Sequence, residues 1–162
     1  MVSSDDDAVM GQPIYLMVAV IIASVIVASI LFGLYDVTSK SQNHIVNHEI
    51  DKILVKSAMM YEYADEAALV TVDVEFPASM RFIVFGGVPQ ETLTQPPHNL
   101  SLNESVSNNY YYVMDDGTVH MGHSNARFSA QNTSQIAVFQ PGSYTLRLEL
   151  YSIEGRTYVK VY

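Results

Sequence analysis

The sequence predicts an α+β protein in which a long N-terminal hydrophobic helix precedes an antiparallel, β-sandwich-like head domain. Two observations carry this prediction. Residues 13–35 form an apolar run without a charged side chain, and residues 69–162 show apolar alternation with a period of two between short turn sequences. The first pattern is helical in lipid, where the backbone must satisfy its own hydrogen bonds. The second is typical of half-buried strands.

The apolar run is long enough to cross a bilayer. At about 1.5 Å rise per residue, a helix over 13–35 measures roughly 35 Å, against about 30 Å for the hydrocarbon core. A helix that is apolar on every side is covered either by lipid or by other helices. The run is therefore either a membrane anchor or the core element of a polymer.

The helix is expected to continue beyond the apolar run, to about Ala67, because residues 36–68 contain neither proline nor glycine. Apolar residues recur there mostly every three to five positions, which indicates one buried helix face. They are Ile45, Ile50, Ile53, Leu54, Ala58, Tyr61, Ala64 and Ala68. The opposite face carries the charged residues Lys52, Lys56, Glu62, Asp65 and Glu66.

The head domain begins with a strand at 70–76, and a second strand at 80–85 is expected to form a hairpin with it. Residues 88–109 are rich in Pro, Ser, Thr and Asn and predict a long loop. Further strands are predicted at 110–114, 118–121, 126–129, 135–140, 144–150 and 156–162. Asp115-Asp116-Gly117 and Glu154-Gly155 read as turns.

Composition excludes several kinds of protein. The chain has 162 residues, no cysteine and a formal net charge of −9. Disulfide scaffolds and thiolate metal sites are therefore ruled out. Nucleic acid is not an expected partner, because Lys and Arg form no patch. The sequence has no Gly-rich phosphate loop, no Gly-x-Ser-x-Gly and no His-Glu-x-x-His, so we predict neither catalytic residues nor a cofactor.

Three clusters of polar residues are weighed as metal sites. His44 and His48 stand one helical turn apart, and His120 and His123 flank Met121-Gly122. Neither pair has an evident third ligand, so surface histidines are the preferred interpretation. Asp115-Asp116 lacks further oxygen ligands and is explained by turn chemistry.

The N-terminal organisation resembles that of archaeal type IV pilins and archaellin-like proteins, which carry a class III signal peptide. The residues that carry this resemblance are a short polar leader, Gly11-Gln12, the apolar run and the amphipathic helix after it. The resemblance implies that a prepilin peptidase removes the leader 1–11 between Gly11 and Gln12. Residues 12–68 then form the long helix, with 13–35 as its transmembrane or filament-core segment, and residues 69–162 form the head.

Two features depart from that family pattern. No Lys or Arg precedes Gly11, where the leader instead contains Asp5, Asp6 and Asp7. The helix also lacks the early glutamate of the bacterial members. The alternative is an uncleaved signal anchor.

The function implied is that of a structural subunit, major or minor, of an archaeal type IV pilus-like surface filament. Its partners would be the membrane and other pilin-like subunits, with the head exposed for adhesion. Small residues let helix backbones approach closely, and this run contains Ala19, Ala23, Ser24, Ala28, Ser29 and Gly33. The alternative function is that of a monomeric, membrane-anchored extracellular binding domain.

Orientation is contested within the sequence. Lys40, Lys52 and Lys56 follow the span and no Lys or Arg precedes it, which alone would retain the large domain in the cytoplasm. Three Asn-x-Ser sequons, at Asn99, Asn103 and Asn132, instead favour an extracellular and glycosylated domain. We expect the C-terminal domain to lie outside the cell.

Overall fold

The computed structural model describes residues 6–90, 95–97 and 100–162, without the side chains of residues 6–13 and 34–39. These residues confirm an α+β protein with an N-terminal apolar helix and two sheets. The elements are α1 (Asp6–Tyr63), β1 (Leu69–Phe76), β2 (Met80–Phe85), a 3-10 helix (Glu104–Val106), β3 (Asn109–Met114), β4 (Val119–His123), β5 (Phe128–Ser129), β6 (Ala137–Phe139), β7 (Gly142–Ile153) and β8 (Arg156–Val161). The chain divides into two compact units, residues 1–41 and 42–162.

Helix α1 ends at Tyr63, four residues before the predicted end near Ala67. Ala67 has a left-handed backbone with φ of 67°. Its N–H donates to the carbonyl oxygen of Leu150 at 2.9 Å, and the Leu150 N–H donates to the carbonyl of Ala68 at 3.0 Å. The backbone here already pairs with β7, and pairing with a strand is incompatible with another helical turn.

Within the described residues, eight strands form two four-stranded sheets. Sheet A has the order β1-β7-β8-β5, and sheet B has the order β4-β3-β2-β6. Every pairing of named strands is antiparallel except that of β5 with β8, where Phe128 stands opposite Val159 in a parallel register. The head predicted as antiparallel therefore contains one mixed sheet, sheet A, and one antiparallel sheet, sheet B.

The predicted hairpin between the first two strands was also wrong. β1 pairs with β7, whereas β2 lies between β3 and β6 in the other sheet. The side chains explain this separation. β1 alternates buried and exposed positions, as an edge strand can. β2 is apolar except for the partly buried Arg81, and its other five side chains are buried on both faces of the sheet.

The buried side chains form two clusters, one on each face of sheet B. The main cluster combines the inner face of α1 with both sheets and includes Ile50, Ile83 and Leu148. The second cluster, on the opposite face of β2 and β3, consists of Phe82, Val84, Tyr111, Val113 and Ile136. Leu100 and Leu102 pack against it.

The described part of the predicted 88–109 loop contacts the rest of the head through a β-bridge and an ion pair. Ser101 forms an isolated antiparallel bridge with Gln135, and the 3-10 helix follows directly. Glu104 of this helix makes an ion pair with Arg156 at the start of β8. This part of the loop therefore covers the second cluster.

Candidate functional site

The apolar segment of α1 is the first candidate site. Ile14–Gly33 is long and apolar enough to cross a membrane, a property that it shares with signal sequences. Each of its residues is exposed within the described chain. An apolar surface of this extent is unfavourable in water and requires a cover of lipid or protein.

The two serine hydroxyls of the segment form hydrogen bonds within the helix itself. Ser24 Oγ donates to the carbonyl oxygen of Val20 at 2.7 Å, and Ser29 Oγ donates to that of Val25 at 2.8 Å. Neither hydroxyl needs a partner in hydrocarbon. Ala19, Ala23 and Ala28 are exposed, and their small side chains protrude little from the helix surface. A Cβ added at Gly33 would meet no atom within 4 Å.

The predicted processing site lies inside the helical part of the chain. The backbone of Gly11 and Gln12 belongs to α1. Their side chains lie outside those that the structure describes. Cleavage between these two residues therefore remains a prediction.

The part of α1 in the second unit has a buried and an exposed face. Val46, Ile50, Ile53 and Met60 enter the main core. Ile45 was expected in the buried stripe, but it is 44% exposed, because the inner face is centred on its neighbour Val46.

Sequence reasoning missed an exposed apolar stripe on the outer face of α1. Val55, Met59 and Tyr63 follow one another at four-residue spacing and are 57%, 55% and 82% exposed. Their spacing places them on one side of the helix, together with Ile45. We call Ile45, Val55, Met59 and Tyr63 the outer stripe. Helical spacing alone groups Val55, Met59 and Tyr63 on one side of the helix, but it does not indicate that this side is exposed.

Polar contacts fix α1 to the sheets. Glu49, which is 7% exposed, accepts hydrogen bonds from Lys52 Nζ at 2.6 and 2.8 Å and from the Glu75 N–H at 2.9 Å. Tyr112 Oη donates to Asn47 Oδ1 at 3.0 Å, which links the helix to β3. These contacts determine which face of α1 remains outside.

An open groove runs between α1 and the edge strand β1 in the second unit. Its walls are formed by His48, Asp51, Lys52, Val55, Lys56, Thr71, Val72 and Asp73. Asp73 Oδ1 accepts a hydrogen bond from Thr145 Oγ1 at 2.7 Å. The groove is therefore lined by acidic and basic side chains and by the apolar Val55 and Val72.

The histidines and the acidic pair fill local roles. His44 and His48 are exposed on α1. His120 stacks on Tyr112 with 4.8 Å between ring centroids. His123 lies between Asn108 and Asn109, with its Nε2 3.3 Å from Asn108 Nδ2 and its Nδ1 3.1 Å from Asn109 Oδ1. Among the described residues, no three His, Asp or Glu side chains converge on a metal position.

The Asp115-Asp116-Gly117 sequence forms the predicted turn between β3 and β4. Asp116 Oδ1 accepts a hydrogen bond from the Thr118 N–H at 2.8 Å, and Gly117 adopts a φ of 85°. Hydrogen bonds from Thr118 lower the pKa of the Asp116 carboxyl. This is the turn chemistry that the sequence indicated.

Two of the three sequons lie within the described residues, while Asn99 falls outside them. Asn103 and Asn132 are exposed, and each side chain caps its own turn. The segments that hold them are hydrogen-bonded to each other, since the Leu102 N–H donates to the Ser134 carbonyl at 2.8 Å.

A scan of protein-family models and searches of curated proteins and of solved structures give no match for this chain.

Proposed function

We propose that this chain is a structural subunit, major or minor, of an archaeal type IV pilus-like surface filament. A prepilin peptidase would remove residues 1–11, and the apolar segment would hold the subunit in the membrane until assembly. The head would then stand on the cell surface as a glycosylated domain available for adhesion. The observation that carries this proposal is the apolar segment Ile14–Gly33, which is exposed along its whole length and precedes the β-rich head in the sequence.

The outer stripe supports assembly over simple anchoring. Val55 comes 22 positions after Gly33, and about 20 helical residues already cross the hydrocarbon core. The stripe is therefore apolar surface for which a single crossing provides no lipid. In a polymer, the apolar segment of one copy covers the outer stripe of another. Contacts between two different surfaces of identical subunits generate open helical filaments when the rotation does not close.

Shape, more than hydrophobicity, would drive helix association. Helices that leave lipid for one another gain little hydrophobic energy, so close approach of small residues must supply the contact. Ala19 and Ala23 are one turn apart, as are Ser24 and Ala28, and Ser29 and Gly33. Both serine hydroxyls are already bonded within the helix, so they add no desolvation cost on association.

The assembly experiment uses Ala23→Leu and Gly33→Leu. Both variants should insert normally, because leucine favours insertion. Each should reduce the yield of sheared filaments by about tenfold, which corresponds to about 1.4 kcal/mol of lost association energy. Val25→Leu is the matched control, since it adds volume at an exposed position that is already large. Membrane fractionation reports insertion independently of assembly.

Wild-type assembly by both leucine variants, or the absence of filaments from wild-type cells, would favour the second candidate function. In that function the chain is a monomeric, membrane-anchored extracellular binding domain. The open groove between α1 and β1 is the observation in its favour, because its charged residues Lys56 and Asp73 and the apolar Val72 could contact a ligand.

A further inference from the structure

Strand β1 is an outer strand of sheet A, so within the described residues one of its two backbone edges has no partner strand. Where β1 begins, the Leu150 N–H donates to the Ala68 carbonyl at 3.0 Å, so the even-numbered residues direct their backbone groups to β7. The odd-numbered residues direct theirs to the other side, because backbone groups alternate along an antiparallel strand. Thr71, Asp73 and Glu75 therefore present their N–H and carbonyl groups at the open edge.

Helix α1 closes one end of this edge and leaves the rest open. At the closed end, the Glu75 N–H donates to Glu49 Oε2 at 2.9 Å. The N–H groups of Thr71 and Asp73 have no hydrogen-bond partner in the part of the chain that the structure describes. Both residues line the open groove between α1 and β1, which has a volume of about 540 Å³. Unpaired backbone groups along a strand edge are a template for the addition of another strand.

The shape of the open groove defines where the side chains of an added strand would lie. Val72 is buried and points to the core side of β1, while the exposed Val55 lies on the α1 wall. Successive side chains of a strand point to opposite faces. The added residue beside Val72 would therefore point toward α1, where an apolar side chain can contact Val55. Its two neighbours would point to the outer face, beside Thr71 and Asp73.

The charges around the open groove favour basic side chains at these two outer positions. Lys52 Nζ already bonds to both carboxylate oxygens of Glu49, at 2.6 and 2.8 Å. Among the other described residues that line the groove and carry a full charge at pH 7, Asp51 and Asp73 are acidic and Lys56 is basic. Opposite charges on facing residues of paired strands stabilise the pairing, and like charges destabilise it. Lysine or arginine is therefore favoured beside Asp73.

We propose that the open groove binds an extended peptide segment of another protein, which joins sheet A as a strand beside β1. The peptide backbone pairs with Thr71 and Asp73, one apolar side chain contacts Val55, and the residues on either side of it are basic. In such strand addition the main-chain hydrogen bonds provide affinity, and the alternate side chains provide specificity. The inference goes beyond the filament proposal and does not require assembly, because every residue involved belongs to one head.

The basic–apolar–basic pattern indicates a second protein as the source of the peptide. The eight Lys and Arg residues of this sequence include no two that are two positions apart, so the sequence itself does not contain the pattern. Its net charge of −9 also disfavours association of like-charged edges of two copies.

The test adds synthetic peptides to the full chain in detergent micelles and follows amide signals and amide hydrogen exchange by NMR. The probe is acetyl-Thr-Lys-Val-Lys-Thr-amide, whose residue order is the same in both directions and therefore allows either strand orientation. At saturation it should slow exchange of the Thr71 and Asp73 amides by about tenfold or more. The peptide with Glu in place of both Lys should bind about tenfold more weakly. The lysine peptide N-methylated at Val and at both Lys should not bind, since its methyl groups occupy the pairing edge.

Thr71→Pro blocks the edge in the protein itself. Proline removes an N–H that points away from β7, a position at which edge strands tolerate it. Binding of the lysine peptide should weaken by about tenfold. Thr71→Val is the matched control, because it retains the N–H and the branched shape and should bind like wild type. Near-UV circular dichroism reports folding of both variants. Asp73→Lys provides a second test, since it should reverse the preference between the lysine and glutamate peptides.

Failure of the lysine peptide to bind wild type would overturn the inference, as would equal binding of its N-methylated form or of the glutamate peptide. Slow exchange of the Thr71 and Asp73 amides in concentrated protein without peptide would also overturn it, because a second copy would then occupy the edge. The yield of sheared filaments from cells is measured separately. Loss of peptide binding with normal filaments leaves the proposed function standing, and peptide binding without filaments leaves this inference standing.

Discussion

Glu49 is a buried carboxylate whose contacts join α1 to the edge strand β1. Burial by itself raises the pKa of this carboxyl, but the hydrogen bonds from Lys52 and from the Glu75 N–H, with the charge of Lys52, outweigh it. The pKa of Glu49 in the folded protein therefore lies below the ordinary glutamate value. A carboxyl of this kind stabilises the fold above its ordinary pKa, and the contribution disappears as the pH falls through the lowered pKa.

We therefore predict that Glu49→Gln lowers the free energy of unfolding at neutral pH by about 1–3 kcal/mol, because Lys52 and the Glu75 N–H lose their charged acceptor. The difference from wild type should shrink as the pH falls below the ordinary glutamate pKa. Chemical denaturation of the full chain in detergent, followed by tyrosine near-UV circular dichroism, measures both effects. Glu62→Gln is the control, since Glu62 is exposed on the same helix. An unchanged acid dependence in Glu49→Gln would contradict this assignment.

At the scale of elements, the end of β2 depends on Gly86. Its φ is 90°, and its N–H donates to the Asn109 carbonyl at 2.9 Å. A Cβ at this position would lie 2.7 Å from the carbonyl oxygen of Phe128. The chain can therefore leave β2 beside β5 only with a residue that has no side chain.

Gly86→Ala should destabilise the head more than Gly117→Ala does. Both positions have positive φ, but a Cβ at Gly117 would meet no atom within 4 Å. Gly117→Ala then measures the backbone cost alone, roughly 1–2 kcal/mol, and Gly86→Ala adds an overpacking cost of about 1–3 kcal/mol. Denaturation midpoints of the two variants provide the comparison. Equal midpoints would show that the Phe128 backbone can move aside.

Local patterns predicted most of the strands, because the alternation of apolar and polar side chains depends only on neighbouring residues. Partner choice was not predictable in the same way. The apolar character of Phe82, Ile83 and Val84 indicates a strand buried on both faces, but only long-range contacts select β3 and β6 as its neighbours. For α1, a shift of one position from Ile45 to Val46 changed the centre of the inner face.

The candidate sites show the same division between local and long-range information. The apolar segment was evident from composition alone, since 20 consecutive residues meet the requirement for a crossing. The outer stripe was not evident, because an apolar residue reveals its exposure only when its surroundings are known. The proximity of the segments that hold Asn103 and Asn132 also needed the fold, since the bridge between Ser101 and Gln135 connects positions distant in sequence.

For the whole molecule, the central question is what covers the outer stripe. A lone anchor leaves Val55 and Met59 in water, where exposed apolar side chains add nothing to stability. In a filament the same side chains are buried against another copy. This burial stabilises the contact by about 25 cal/mol for each Å² of apolar surface removed from water. The two functions therefore differ in one expectation. In a filament the outer stripe contributes to association between copies, whereas in a lone anchor it contributes to no contact.

The double variant Val55→Ser and Met59→Ser tests this difference. Both side chains are more than half exposed, so the free energy of unfolding should change by about 0.5 kcal/mol or less. Membrane fractionation should also match wild type, because the segment Ile14–Gly33 is intact. Filament yield should fall by about tenfold or more, since each lost 1.4 kcal/mol of association energy costs a factor of ten. Lys56→Ser is the control, an exposed change on the same helix that leaves the stripe unaltered.

Wild-type yield from the double variant would mean that no other copy covers the stripe. If the double variant instead lost binding of the head to liposomes, with assembly unchanged, the cover would be the membrane surface.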